Sequence, residues 1–172
     1  MPPKLPLDLI PRSLWFKSPR IALGETWWNQ ARKSCYAAAG NKCEACGGAG
    51  RRHPVEAHEK YEYDTSTSPA VQRVTGLIAL CPRCHTATHL GRTKRISEQF
   101  EDPGIYDRAV NWLGRVNEWD LATTQAYIRE MNALSRERDQ LDWSLDFTQL
   151  LKDYPLKKRG CKCDGNDAAL CS

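Results

Sequence analysis

No apolar run in this 172-residue chain approaches the roughly 18–20 residues of a membrane-spanning helix, and the mean hydropathy is negative. The stretch MPPKLPLDLIPRSLWFKSPR sets prolines where a secretory signal would carry its apolar core, so the expected location is cytoplasmic. A strong charge of either sign is missing too. Lys and Arg number 25 against 21 Asp and Glu, a net charge of +4 that does not by itself argue for a nucleic-acid partner. The excess is local, with nine Lys/Arg against five Asp/Glu between Asn41 and Ile96. No internal repeat occurs. Histidine is scarce: His53, His58, His85 and His89 are the whole complement, and all four lie between positions 53 and 89. Without an export signal, the eight cysteines argue for metal before disulfides.

What is present falls into segments. Pro2, Pro3, Pro6, Pro11 and Pro19 make the first twenty residues an extended arm, with Leu9, Ile10, Leu14, Trp15 and Phe16 expected to lie against the domain. A helix is expected from about Glu25 to Ala39, with Trp27, Ala31, Cys35 and Ala38 on one stripe and Gly40 as its stop. HPVEAHEKYEY and VQRVTGLIAL read as two strands around the turn-rich DTSTSPA, an antiparallel hairpin. CPRCHTATHLG then reads as a helix with Pro82 in its first turn and Gly91 at its end, followed by a basic linker, GRTKR. Helices are expected near Tyr106–Asn117 and Leu121–Arg138, the second capped by Asp120 and presenting Ala122, Ala126, Ile128, Met131 and Leu134. QLDWSLDFTQLL fits a strand or an amphipathic helical turn, and residues 156–172 read as a flexible tail. Apolar residues make up 41% of the chain, enough for a packed core over part of it; both ends are too polar or proline-rich to extend that core throughout.

The densest chemistry lies in LCPRCHTATH, where two cysteines and two histidines occupy positions 81 to 89. Cys43 and Cys46 form one C-x-x-C pair, and Cys81 and Cys84 another. Two intervening residues let both sulfurs of a pair reach one tetrahedral ion, so the four thiolates make a complete structural zinc site. Zinc then does not require the histidines. His85 and His89 are four apart, on one face of a helix, and His58 lies on a strand that can pack across it. The plainer reading is that His85 replaces Cys84 as a ligand and His89 is a surface residue. Cys161, Cys163 and Cys171, with Cys35, read as free thiols rather than as a second metal site.

C-x-x-C, then VEAHEKYEYD, then GLIALCPRCHTATHLG resembles the HNH nucleases, in the zinc-stapled branch common in phages and mobile elements; DLIPRSLWFKSPR resembles its usual lead-in. The likeness runs from about Leu7 to Gly91. It implies an α+β fold in which a small ββα-metal module with a structural zinc is flanked by helices. Residues 1–40 would form the arm and lead-in helix, 41–92 the nuclease module, 93–155 a helical region and 156–172 the tail. The implied activity is hydrolysis of DNA phosphodiester bonds. His58 matches the general base, His85 a ligand of one catalytic divalent metal (Mg²⁺, Mn²⁺, Ni²⁺ or Zn²⁺), and His89 an additional ligand.

Two positions depart from the pattern. Ala57 stands where many of these enzymes carry an acidic metal ligand, and Glu56, Glu59 and His89 are candidates to replace it. Gly76 stands where an asparagine usually braces the hairpin. Arg51, Arg52, Arg83, Arg92, Lys94 and Arg95 are candidate phosphate contacts. The competing readings are a non-catalytic zinc module that binds DNA or RNA, and a structural or regulatory partner in a larger phage or restriction assembly docking through its C-terminal helices; the expected partner is DNA, with a homodimer or such an assembly as further possibilities.

Overall fold

The computed structural model describes residues 2–155. The fold is α+β: among the described residues, seven α-helices accompany a three-stranded sheet. After a 3₁₀ turn at Arg12–Leu14 come α1 (Pro19–Leu23) and α2 (Glu25–Ala38). Then β1 (Glu56–Asp64) and β2 (Ala70–Leu80) form an antiparallel hairpin, and α3 (Pro82–Thr88) follows directly. The helices α4 (Leu90–Gln99), α5 (Pro103–Asn117) and α6 (Leu121–Arg138) lead to β3 (Trp143–Asp146) and α7 (Thr148–Asp153). Strand order is β1-β2-β3, with β3 parallel to β2, so the ambiguous QLDWSLDFTQLL segment is a strand and then a helix.

Residue chemistry explains the boundaries. Asp120 caps α6 by accepting from the Thr123 amide at 2.7 Å, and Asp102 caps α5 through the Gly104 amide. The α2 helix stops where Gly40 and Asn41 turn into the left-handed region. Its stripe buries Trp27, Ala31 and Cys35, whereas Ala38 is exposed. On α6 the inward face is set by Thr124 and Ile128, while Ala122 and Ala126 face solvent. Thr124 earns its place because Gly114 of α5 lies so close that a Cβ there would come within 2.6 Å of its hydroxyl.

Three expectations are corrected. The helix after β2 does not run on to Gly91: its ladder breaks at His89 (φ −87, ψ 44), and GRTKR belongs to α4 rather than to a linker. Burial of Leu90 and Thr93 keeps that basic stretch helical. The core reaches into the proline-rich arm, since one apolar cluster joins Leu5 to Trp27, Leu80, Leu113, Ile128 and Leu150. Within the arm, Leu5 and Leu14 are buried, but Trp15 and Phe16 are exposed.

Much of the arm is stitched down by polar contacts. Buried Asn117 accepts from the Leu5 amide and donates to the Leu5 carbonyl, each at 3.0 Å. The Tyr127 hydroxyl accepts from the Leu7 amide, and the Asp8 amide donates to the Thr88 carbonyl. These bonds fix residues 5–8 across the end of α3.

Candidate metal centres

Cys43, Cys46, Cys81 and Cys84 converge, their sulfurs all within 4.8 Å of one another. The Cys46 and Cys81 sulfurs are 3.7 Å apart. A tetrahedral zinc with sulfurs at about 2.3 Å requires sulfur–sulfur separations of about 3.8 Å, close to the Cys46–Cys81 spacing, so the four sulfurs could hold zinc. The first pair sits in a tight knuckle in which Gly47, at φ +73, returns its amide to the Cys43 carbonyl. Glu44 then docks that knuckle on β2, its amide donating to the Ala79 carbonyl and its carboxylate accepting from the Ala79 amide. The second pair straddles the β2–α3 junction, with Pro82 at the first helical position. A hydrogen bond from the Cys84 thiol, helped by backbone amides, pulls Cys43 down to about 4, and the same bond pushes Cys84 up. The Trp112 indole N–H also donates to the Cys84 sulfur at 3.3 Å. Donors aimed at these sulfurs suit thiolates.

On the other side of α3, the three imidazoles of His58, His85 and His89 place one ring nitrogen each within 4.8 Å of the others. Ring centroids are 4.8 Å apart for His58–His89 and His85–His89, and 5.4 Å for His58–His85. Two of these rings have a carboxylate behind them. Glu56 accepts from Nδ1 of His85, and Asp8 Oδ2 lies 3.2 Å from Nδ1 of His89. With Nδ1 protonated toward the carboxylate, each ring turns a lone pair outward on Nε2, and these two Nε2 atoms are 3.2 Å apart. Two facing lone pairs repel unless a cation or a proton lies between them. Ligands at about 2.05 Å around a tetrahedral ion would stand about 3.3 Å apart, close to this spacing. His58 is 6% exposed, and its Nδ1 is buried with no hydrogen-bond partner, a deficit that usually costs about 1–3 kcal/mol. Burial, then the charges of His89 and His85, lower the His58 pKa to about 2; burial lowers His85 as well. Three imidazoles, two of them with a carboxylate behind, are the donor set of a transition-metal site, and three protein ligands leave a position open.

The remaining candidates divide clearly. Glu56 is occupied as the partner of His85 rather than lying among the converging nitrogens. Glu59 is outside the three-imidazole group as well; burial pushes its carboxyl up to about 7, with the Asp8 charge adding and the His89 charge opposing. Ala57 packs in the main core opposite Ala79, where a carboxylate would be buried among apolar side chains. Gly76 sits beside the irregularity in the β1–β2 register, paired with Lys60. His53, Arg51 and Arg52 lie on the exposed loop before β1, and Arg92, Lys94 and Arg95 are exposed on α4. The charge of Arg92 reaches His85, whereas Lys94 is 3.9 Å from Glu98 and Arg95 stacks on Trp15. Cys35 is a buried thiol raised to about 11 by desolvation, and Cys161, Cys163 and Cys171 lie outside the described residues.

Asp8 is the site residue that the sequence did not single out. It sits in a proline-rich arm, 50 residues before His58, and no local periodicity marks it. Its side chain is only 3% exposed, which identifies it once the arm is seen folded over Thr88. No family model matches the chain, and neither does any curated protein or solved structure.

Proposed function

We propose that this protein is a metal-dependent endonuclease of the HNH type that hydrolyses DNA phosphodiester bonds. The observation that carries this reading is the three-imidazole group on a β-hairpin and the helix after it, with carboxylates behind two rings and a complete cysteine staple beside it. A staple alone would support a structural module. A second ligand set, of three imidazoles on the same scaffold, supports chemistry.

Within this reading, His85 and His89 would hold a divalent ion, and Glu56 and Asp8 would fix both rings in the tautomer that leaves Nε2 free. Once bound, such an ion supplies Lewis-acid stabilisation of the phosphate and makes a water molecule nucleophilic near neutral pH. The resemblance implies that His58 is the base. Its burial, its partnerless Nδ1 and its place within the converging nitrogens favour a third ligand, and we assign it that role. Arg92, whose charge is felt at His85, adds positive potential where a phosphate would approach. Three imidazoles favour Mn²⁺, Ni²⁺ or Zn²⁺ over Mg²⁺.

Plasmid cleavage in the presence of each of these four ions tests the reading. A protein that leaves DNA intact with all of them is the non-catalytic zinc module instead. Metal titration of His58→Ala separates the two roles of that residue. A ligand predicts loss of both the second ion and cleavage, whereas a base predicts an ion still bound and cleavage lost.

A further inference from the structure

The zinc staple has a second surface, turned away from the histidines. Between the first cysteine knuckle, the start of α3 and the end of α5 runs an open groove of about 730 Å³. Arg83 precedes His85 by two residues, about 200° around a helix, so it points to the opposite side of α3. The groove is lined by Arg51, Arg83, Arg115 and Trp112, together with Lys4 and Glu118. Lys4 and Glu118 pair with each other. Among the described residues, none of the three arginines has a carboxylate partner in ion-pair contact. The Arg83 and Arg115 guanidiniums lie 5.1 and 5.5 Å from the centre of the Trp112 ring, and Trp112 is anchored by its bond to the Cys84 sulfur.

That arrangement has a physical consequence. Like charges gathered in one groove repel, and stacking on an indole holds two of them in place without neutralising them. A stacked guanidinium keeps its N–H fork free for paired phosphate oxygens and loses little further rotamer freedom on binding. The staple therefore pre-organises a cationic groove through Trp112. A single small anion would satisfy one fork; three unpaired forks lining one groove suit a chain that carries several phosphates.

We propose that this groove binds the phosphodiester backbone of a nucleic acid, as a contact separate from the three-histidine site. The inference uses the nucleic-acid part of the proposed function but not its chemistry. Trp112 and Arg115 enter as residues with no signal in the motif.

The test measures fluorescence anisotropy of labelled duplex and single-stranded oligonucleotides against full-length His85→Ala protein, so that binding is read without cutting. Adding Arg83→Ala or Arg115→Ala should weaken binding on the order of tenfold and flatten the plot of log affinity against log salt by about one unit each. Adding Arg136→Ala, on exposed α6, should do neither. Whichever oligonucleotide shows this dependence identifies the source of the backbone. Unchanged affinity and salt slope in both arginine variants would overturn the proposal, as would an equal arginine-dependent affinity for inorganic phosphate. The two readings fail separately. A parent that cuts DNA while its groove variants bind normally removes the groove alone; one that binds through the groove and never cuts removes the nuclease alone.

Discussion

Two clusters of metal-ligand side chains flank α3, and they differ in what stands behind the ligands. The four cysteines are backed by backbone amides, the Trp112 indole and the knuckle that Glu44 docks on β2. Four thiolates would fill a tetrahedral ion and leave no coordination position open. The three histidines draw on more distant parts of the chain: His58 from β1, His85 and His89 from the end of α3, Glu56 from β1 and Asp8 from the arm. The first cluster offers four ligands, held by its own knuckle, the β2–α3 junction and Trp112 of α5. The second is assembled by the tertiary fold and offers three ligands. That contrast is what a scaffold metal and a working metal demand of a protein.

Removal of one cysteine should have the largest effect. A structural zinc contributes folding free energy on the order of 10 kcal/mol in small domains, so Cys84→Ser should lose zinc together with the cooperative melting transition. Metal analysis and circular dichroism would show both losses. Removing a histidine should act differently. His85→Ala is expected to keep one zinc per chain and melt within a few degrees of the parent, while its cleavage rate falls by about 100-fold or more. Equal melting behaviour of the cysteine and histidine variants would erase the distinction between the two clusters.

The carboxylates behind the histidines give a graded version of the same test. Asp8→Asn and Glu56→Gln keep size and remove charge, and each should weaken the second metal by about tenfold, read by competition with a chelating dye. The staple zinc should not change. A proton can also replace metal as the probe. In protein loaded only at the staple, buried His58 titrates near 2 while the unfolded chain takes up that proton near 6.5. Below about pH 6.5 the unfolded state therefore binds more protons, and stability should fall by about 1.4 kcal/mol per pH unit. Urea melts at pH 7 and pH 5 should show the parent losing about 2 kcal/mol more than His58→Gln. The smallest effect is a control. Asp120→Ala removes the α6 cap, should cost about 1 kcal/mol, and should leave both metals in place.

The contrast also explains what could be read from the sequence. The cysteine staple follows from two short spacings and a hairpin-length gap, because its geometry is set within single turns of chain. The hairpin, α2, α5 and α6 were legible for the same reason, through local periodicity and caps. His85 and His89 were legible as neighbours, but the break between α3 and α4 was not. Pro82 and Gly91 gave the expected punctuation for one helix, while burial of Leu90 and Thr93 favours a second. Asp8 was illegible because its role depends on Asn117, Tyr127 and Thr88 fixing the arm, and those contacts span 80 to 120 residues. The same holds for Trp112, whose partner Cys84 lies 28 residues earlier.

The central claim is that the imidazole cluster is a working metal site independent of the staple. Plasmid cleavage by the parent and by His85→Ala, run side by side with Mg²⁺, Mn²⁺, Ni²⁺ and Zn²⁺, tests it most directly. The parent should cut with at least one transition metal, while the variant, still carrying its staple zinc, should leave the plasmid intact. An uncut plasmid in every parent reaction, or a variant that cuts as fast as the parent, would contradict it.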